Sequence, residues 1–215
     1  MKSIAFFDID NTIVNGQSQL FLIKYLFRKK QIGLCFIIKV YFWFLLYKFN
    51  IVKNPRPIME YSFNMIKNKT LSEVDEMLRE FVNSELSKKF NIKVLDLINW
   101  HRTKNHYIVI VSNIFYPLAE AIAQKLNIQS VIATRLDAVG GKYNGKIVGD
   151  IIYGKNKAEN AKRLLEDKSL QESFCYADHI SDLPLLKLVS CPVAVNPDKE
   201  LFKIARNNNW QIIRG

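Results

Sequence analysis

Short, unbroken apolar runs punctuate the chain, and several of them stop at acidic or hydroxyl residues. Ile4 to Phe7 is the first, ending at Asp8, and Tyr107 to Val111 (Y-I-V-I-V) is the second, ending at Ser112 and Asn113. Further runs occupy Val131 to Ala133, Phe174 to Ala177, Val193 to Val195 and Gln211 to Ile213. Apolar runs of this length without alternation fit strands buried on both faces. Between them, Pro117–Leu126, Lys157–Leu165, Leu183–Leu188 and Lys199–Asn207 read as helices, with Ala158, Ala161, Leu164 and Leu165 on the helical period. Strands alternating with such helices predict an α/β fold: a doubly wound parallel sheet with helices on both faces. Within it, Lys142–Tyr153 carries Asn144-Gly145, which predicts a hairpin turn and a small projecting flap.

One long segment departs from the alternation. From Asn15 to about Phe90 the pattern is helical, broken at N-P-R-P (Asn54–Pro57). Because it lies between the first two strands, it predicts an inserted cap. The division is residues 1–14 and 88–215 for a Rossmann-like core and 15–87 for a helical cap domain.

Composition narrows the partners. The 31 Lys and Arg against 20 Asp and Glu give a formal charge of +11, which favours an anionic substrate or surface. No nucleic-acid reading motif accompanies that charge, so no nucleic-acid partner is expected. The three cysteines, Cys35, Cys175 and Cys191, have unrelated spacings and form no CxxC pair. This argues against a disulfide framework or a zinc site and for a reducing compartment, the cytoplasm. The apolar run after Lys2 ends at Asp8, too short for a secretory signal.

In an open parallel sheet, ligands bind beyond the carboxyl ends of the strands. Those ends carry Asp8 and Asp10, then Ser112 and Asn113, then Asp178 and Asp182 in A-D-H-I-S-D. Lys157 lies in the first turn of the helix that opens G-K-N-K. Taken singly, the acids read as helix caps or turn residues and Lys157 as a solvated helix lysine. Together they place four acids, a hydroxyl and an ammonium on one rim. Carboxylates held near an apolar core need a cation, and a hard-oxygen set suits Mg²⁺. His179 has no second His or Cys nearby and reads as solvent-facing or packed; His101 and His106 carry no functional expectation.

D-I-D-N-T at 8–12, Ser112 after the second run, G-x-x-K ending at Lys157 and D-x-x-x-D at Asp178/Asp182 resemble the haloacid dehalogenase (HAD) superfamily of phosphatases. The helical insert resembles that of its phosphoserine-phosphatase branch. The resemblance implies Asp8 as nucleophile and Asp10 as general acid and base. It implies Mg²⁺ held by the Asp8 and Asp178 carboxylates and the Asp10 carbonyl. Ser112, Asn113 and Lys157 would bind the phosphoryl group, and Asp182 would act from behind. Thr12 would close the loop through its side chain. The implied activity is Mg-dependent hydrolysis of a small phosphorylated metabolite, with no obligate protein partner. Where that branch's phosphoserine phosphatases carry a glutamate for the serine ammonium, this chain has Gln17, which makes phosphoserine a poor fit. The Gly-Asn before the final Asp is replaced by Ile180-Ser181.

Gln31–Val52 is strongly apolar, and Asn15–Ile58 contains eight Lys or Arg and no acid. Such a segment reads first as a cap helix packed on its neighbours, and alternatively as an interfacial element touching an anionic membrane at the inner face. The second reading makes a lipid phosphate the alternative substrate. A phosphotransferase and a catalytically idle phosphate- or membrane-binding module are the remaining alternatives.

Overall fold

The computed structural model describes residues 3–48, 54–166 and 172–215. Seven strands form one sheet in the order β4-β3-β2-β1-β5-β6-β7. They are β1 Ile4–Phe7, β2 Tyr107–Phe115, β3 Ser130–Val139, β4 Lys142–Val148, β5 Ser173–Ala177, β6 Cys191–Val195 and β7 Gln211–Ile213. All pairings are parallel except β3 with β4. The strand order reverses at β1, which sits between β2 and β5, so the cleft expected of such a sheet opens at the ends of these three strands.

β1 shows why its sequence has no alternation. Ala5 and Phe7 join one apolar cluster, Ile4 and Phe6 the other, and all four are fully buried. The side of Ile4 and Phe6 is covered by α7 (Lys155–Glu166), α8 (Leu183–Leu186) and α9 (Lys199–Asn207) through Ala158, Ala161, Leu185, Leu186, Leu201 and Ala205. The side of Phe7 packs against α5 (Ile92–Thr103), α6 (Tyr116–Lys125) and the helices between β1 and β2.

That insert contains α1 (Ser18–Arg28), α2 (Leu34–Lys48), α3 (Arg56–Ser62) and α4 (Leu71–Ser84), with 3₁₀ turns at Phe63–Ile66 and Leu86–Lys89. The N-P-R-P break starts α3, with Pro57 in its first turn, where a missing N–H costs nothing. α4 opens on a capping box: the Thr70 hydroxyl accepts from Glu73 N, and the Glu73 carboxylate accepts from Thr70 N at 2.6 Å. The insert leaves and returns as neighbouring chains, with Asn15 N bonded to Lys89 O and Asn91 N to Ile13 O. Residues 49–52 of the apolar segment, and residue 53 after it, lie outside the described residues. α2 packs inward through Phe36, Ile37 and Val40, but its other side is exposed. The expectation of a packed cap helix therefore holds for only one of its faces.

The hairpin turn is not at Asn144-Gly145. Val139 pairs with Lys142, so Gly140 and Gly141, at φ +58° and +75°, make the two-residue turn between β3 and β4. Asn144 and Gly145 instead form a bulge inside β4, where Leu136↔Ile147 is followed by Ala138↔Tyr143. Gly145 has φ +81°, and a Cβ there would stand 3.3 Å from Asn64 Oδ1. The glycine serves close approach of the insert. The hairpin accordingly does not project free: its backbone bonds Asn68, Lys69 and Leu71, and Glu60 binds Lys146 and Ile147 N.

A polar network lies in the core behind β1. His101 is fully buried, with Nδ1 2.8 Å from His106 Nδ1 and Nε2 2.9 Å from the Tyr176 hydroxyl; Tyr176 stacks on Phe7. Burial first, and then His106, lower the His101 pKa from 6.5 to about 4. The folded state thus favours neutral His101, and acid favours unfolding. This contribution to stability is complete above about pH 6.5 and is lost as pH falls toward 4, a loss of about 3 kcal/mol at most. Denaturant unfolding at pH 7 and pH 4.5 should show a shallower acid loss in His101→Gln than in the wild type. Equal slopes would contradict this assignment.

Candidate active site

Asp8 and Asp10 follow β1, Asp178 and Asp182 follow β5, Lys157 lies in the first turn of α7, and Ser112 and Asn113 lie within β2. Asp8 directly follows β1, and Asp10 follows one residue after the buried Ile9. The loop then turns back on itself through Thr12 N and Val14 N, both donating to Ile9 O, with Asn11 at φ +56°. Thr12 does not contribute the expected side-chain bond. Its hydroxyl is fully buried without a hydrogen-bond partner, so backbone bonds close the loop.

Ser112 and Asn113 belong to β2 and do not follow it. The register steps from Val111↔Ile132 to Phe115↔Thr134, leaving surplus residues on β2 that bulge at Ser112–Ile114. The apolar run ends there because the ladder is interrupted, although the strand continues. Ser112 is fully buried and its Oγ has no partner. The Asn113 carbonyl accepts from the Thr134 hydroxyl at 2.9 Å, and the Thr134 Oγ1 in turn accepts from Ile152 N. Thr134 thereby ties the bulge to the loop that leads into α7.

Lys157 is buried and its ammonium reaches two acids. Nζ stands 2.6 Å from Asp8 Oδ1 and 3.0 Å from Asp182 Oδ2. It is also 2.9 Å from Asp182 Oδ1, without the direction of a hydrogen bond. Gly154, at φ +56°, turns the chain into this helix. Burial opposes the charge on Lys157, but Asp8 and Asp182 outweigh it and hold the ammonium above its ordinary range. Burial raises Asp8 well above the usual carboxylate range; Lys157 pulls it back, while Asp182 and Asp178 push it further. Asp178 is pushed up to about 6, chiefly by burial, against the hydrogen bond from Asn11 Nδ2 at 2.9 Å.

Asp10 is arranged differently. Its Oδ1 accepts from Ser18 N, the first residue of α1, at 2.8 Å. The helix terminus favours the anion there. Burial still raises the Asp10 pKa overall, with Ser18 lowering it in part. Gln17, just before Ser18, is exposed and its side chain makes no capping bond.

Carboxylate oxygens of Asp8, Asp178 and Asp182 all lie within 4.8 Å of one another. Three buried carboxylates face one ammonium, so the pocket is short of positive charge, and a hard divalent cation fits that deficit. The Asp10 carboxylate is not in this cluster.

Sequence reading missed the residues that hold these groups in place. Asn11 supports Asp178, Asn196 Nδ2 in turn donates to Asn11 O, and Ser18 and Thr134 act as described above. Asn11 had one local signal, an asparagine inside D-I-D-N-T able to take a left-handed backbone. His179 is exposed: it accepts from Ser181 N, and its Nε2 lies 3.4 Å from Asp198 Oδ2, as a solvent-facing residue should.

The haloacid dehalogenase-like hydrolase family matches residues 5–187. Phosphoserine phosphatase SerB1 of Mycobacterium tuberculosis is 27% identical over 99% of this chain and 70% of its own. Histidinol-phosphatase of Neisseria meningitidis is 26% identical over 99% of both chains. A Bordetella pertussis protein of unknown function, 23% identical, shares the fold at a TM-score of 0.87 over 99% of this chain and 98% of that one. The acids after β1, the lysine of α7 and the family match along most of the chain lead to one assignment: this chain belongs to the haloacid dehalogenase-like hydrolases, as a phosphatase of their phosphoserine-phosphatase-like branch.

Proposed function

We propose that this phosphatase hydrolyses the phosphate monoester of a small metabolite through an aspartyl-phosphate on Asp8, with Mg²⁺ as its metal. The observation that carries the reading is the contact of Lys157 with Asp8 in a pocket shared with Asp178 and Asp182. An ammonium there directs the nucleophile and meets the incoming phosphate. The Asp8 and Asp178 carboxylates and the Asp10 carbonyl would hold the metal, while Asp182 stays committed to Lys157. When bound, Mg²⁺ supplies positive charge that screens the anionic nucleophile from the anionic substrate.

In the first half-reaction an Asp8 oxygen bonds to phosphorus and the bond from phosphorus to the alcohol oxygen breaks. Asp10 gives its proton to the departing alkoxide. Burial raises its pKa, the direction that duty requires. In the second half Asp10, now ionised, takes a proton from water. The water oxygen bonds to phosphorus and the bond from Asp8 breaks, releasing inorganic phosphate. The buried, unpartnered Ser112 hydroxyl and the Asn113 amide of the bulge receive phosphoryl oxygens, which satisfies an otherwise orphaned donor.

The relatives are named for phosphoserine and for histidinol phosphate. Gln17, exposed beside the Asp10–Ser18 contact, offers no charge for a substrate ammonium, which favours an alcohol recognised without an ion pair.

The test is a leaving-group series. Asp10→Asn should slow esters of poorly acidic alcohols by about 10²–10⁴-fold, yet slow aryl phosphates with acidic phenols far less. Equal losses across the series would remove Asp10 as the acid.

A further inference from the structure

α2 is apolar all round, the composition of a buried helix, yet it lies on the surface. Phe36, Ile37 and Val40 face the core, and Phe36 stacks on Tyr61. On the other side, Leu34, Ile38, Phe42 and Leu45 are 58%, 57%, 58% and 48% exposed, and Tyr41 is 40% exposed. Their spacing of four, four and three residues puts them in one stripe along the helix. Single exposed apolar residues are ordinary; a continuous stripe marks a surface that meets something apolar.

The charge around the stripe says what that partner is. Asn15–Ile58 contains eight Lys or Arg and no acid. Arg28 and Lys29 are matched by Glu85 and Glu80 of the neighbouring segment. Lys24, Lys30 and Lys39 are exposed and pair with no acid among the described residues. Beside α2 a recess of about 480 Å³ opens, with Phe21, Ile37, Tyr41 and Phe81 as apolar walls and Lys24 and Lys89 among its lining. An apolar stripe flanked by unneutralised cations, on a chain of net charge +11, matches a bilayer surface carrying anionic headgroups. A second copy of the chain is a poor complement, since it would set the same cations against each other.

We propose that the α1–α2 face seats this phosphatase on an anionic lipid bilayer, with the α2 stripe entering the headgroup–acyl boundary. The helix lies in the interface and does not cross it. Its described part, 15 residues, is roughly 22 Å long, against about 30 Å of hydrocarbon. The insert also begins and ends at β1 and β2, which pair side by side in parallel, so a single crossing would divide one sheet between two compartments.

The test is flotation of the full chain with vesicles of phosphatidylcholine alone and with phosphatidylglycerol added, at low and high salt. The wild type should float only with the anionic vesicles and should be released by salt. Ile38→Glu/Phe42→Glu and Lys30→Glu/Lys39→Glu should each lower the bound fraction by more than about tenfold. Both should keep wild-type turnover of an aryl phosphate, which reports an intact fold and site. Absence of flotation by the wild type would overturn the proposal, as would binding unchanged in both variants. A dimer of the wild type that Ile38→Glu/Phe42→Glu dissolves would assign the stripe to self-association and overturn it equally.

Discussion

Asp8→Asn should reduce turnover of any phosphate monoester by about 10⁴-fold or more, with no loss of thermal stability in metal-free buffer. The two halves of this expectation come from the same geometry. An amide is nearly isosteric with a carboxylate but does not attack phosphorus, so the covalent route closes. Asp8 is also one of three carboxylates crowded against a single ammonium, and its ionised form is disfavoured first by burial. Removing its charge relieves repulsion from Asp178 and Asp182, while Lys157 keeps Asp182 as a partner. Activity and folding therefore separate. Initial rates on an aryl phosphate, set beside melting curves in EDTA, measure both. Substantial residual turnover would deny Asp8 its role, and a marked fall in melting temperature would deny that the pocket is over-supplied with negative charge.

Lys157→Met should fail in both respects. The ammonium is the one cation bonded to Asp8 and Asp182 among the described residues, and all three groups are buried. Removing it leaves two desolvated carboxylates beside a third, a loss of about 3–5 kcal/mol for a broken buried pair. For a chain of 215 residues that corresponds to a melting temperature lower by roughly 10 °C in metal-free buffer. Turnover should also fall by about 10³-fold, because the phosphoryl group loses its fixed positive partner. Scanning calorimetry and steady-state rates check the two effects. An unchanged melting temperature would mean that Lys157 does not hold the acids as described.

The contrast between the two substitutions shows how much of the site was legible in the sequence. Asp8, Asp10, Asp178, Asp182, Ser112 and Lys157 could be placed because each sits where an apolar run stops or a helix starts, and those breaks are local signals. The bonds that orient them are not local. Asn11 meets Asp178 across 167 positions, and Thr134 reaches the peptide of Asn113 from the neighbouring strand. No periodicity marks such partners. For the same reason Thr12 was given a bond that the backbone supplies instead.

The fold shows the same division. Parallel strands such as β1 and β5 declare themselves as unbroken apolar runs, and α9 appears over the predicted Lys199–Asn207. The β3–β4 hairpin misled because two glycine-bearing dipeptides compete within six residues, and only contact with the insert decides which is the turn. α2 misled in the opposite sense. Its composition signals burial, but the insert offers it just one packing face.

The central claim is that the acids after β1 and β5 and the lysine of α7 form one phosphoryl-transfer site around a magnesium ion. A crystal structure grown with Mg²⁺ and beryllofluoride tests it directly. The account predicts beryllium bonded to an Asp8 oxygen, fluorines beside Ser112 and Lys157, and a metal ion bound by Asp8, Asp178 and the Asp10 carbonyl. Beryllofluoride bound elsewhere, or a metal ion that bypasses Asp178, would contradict it.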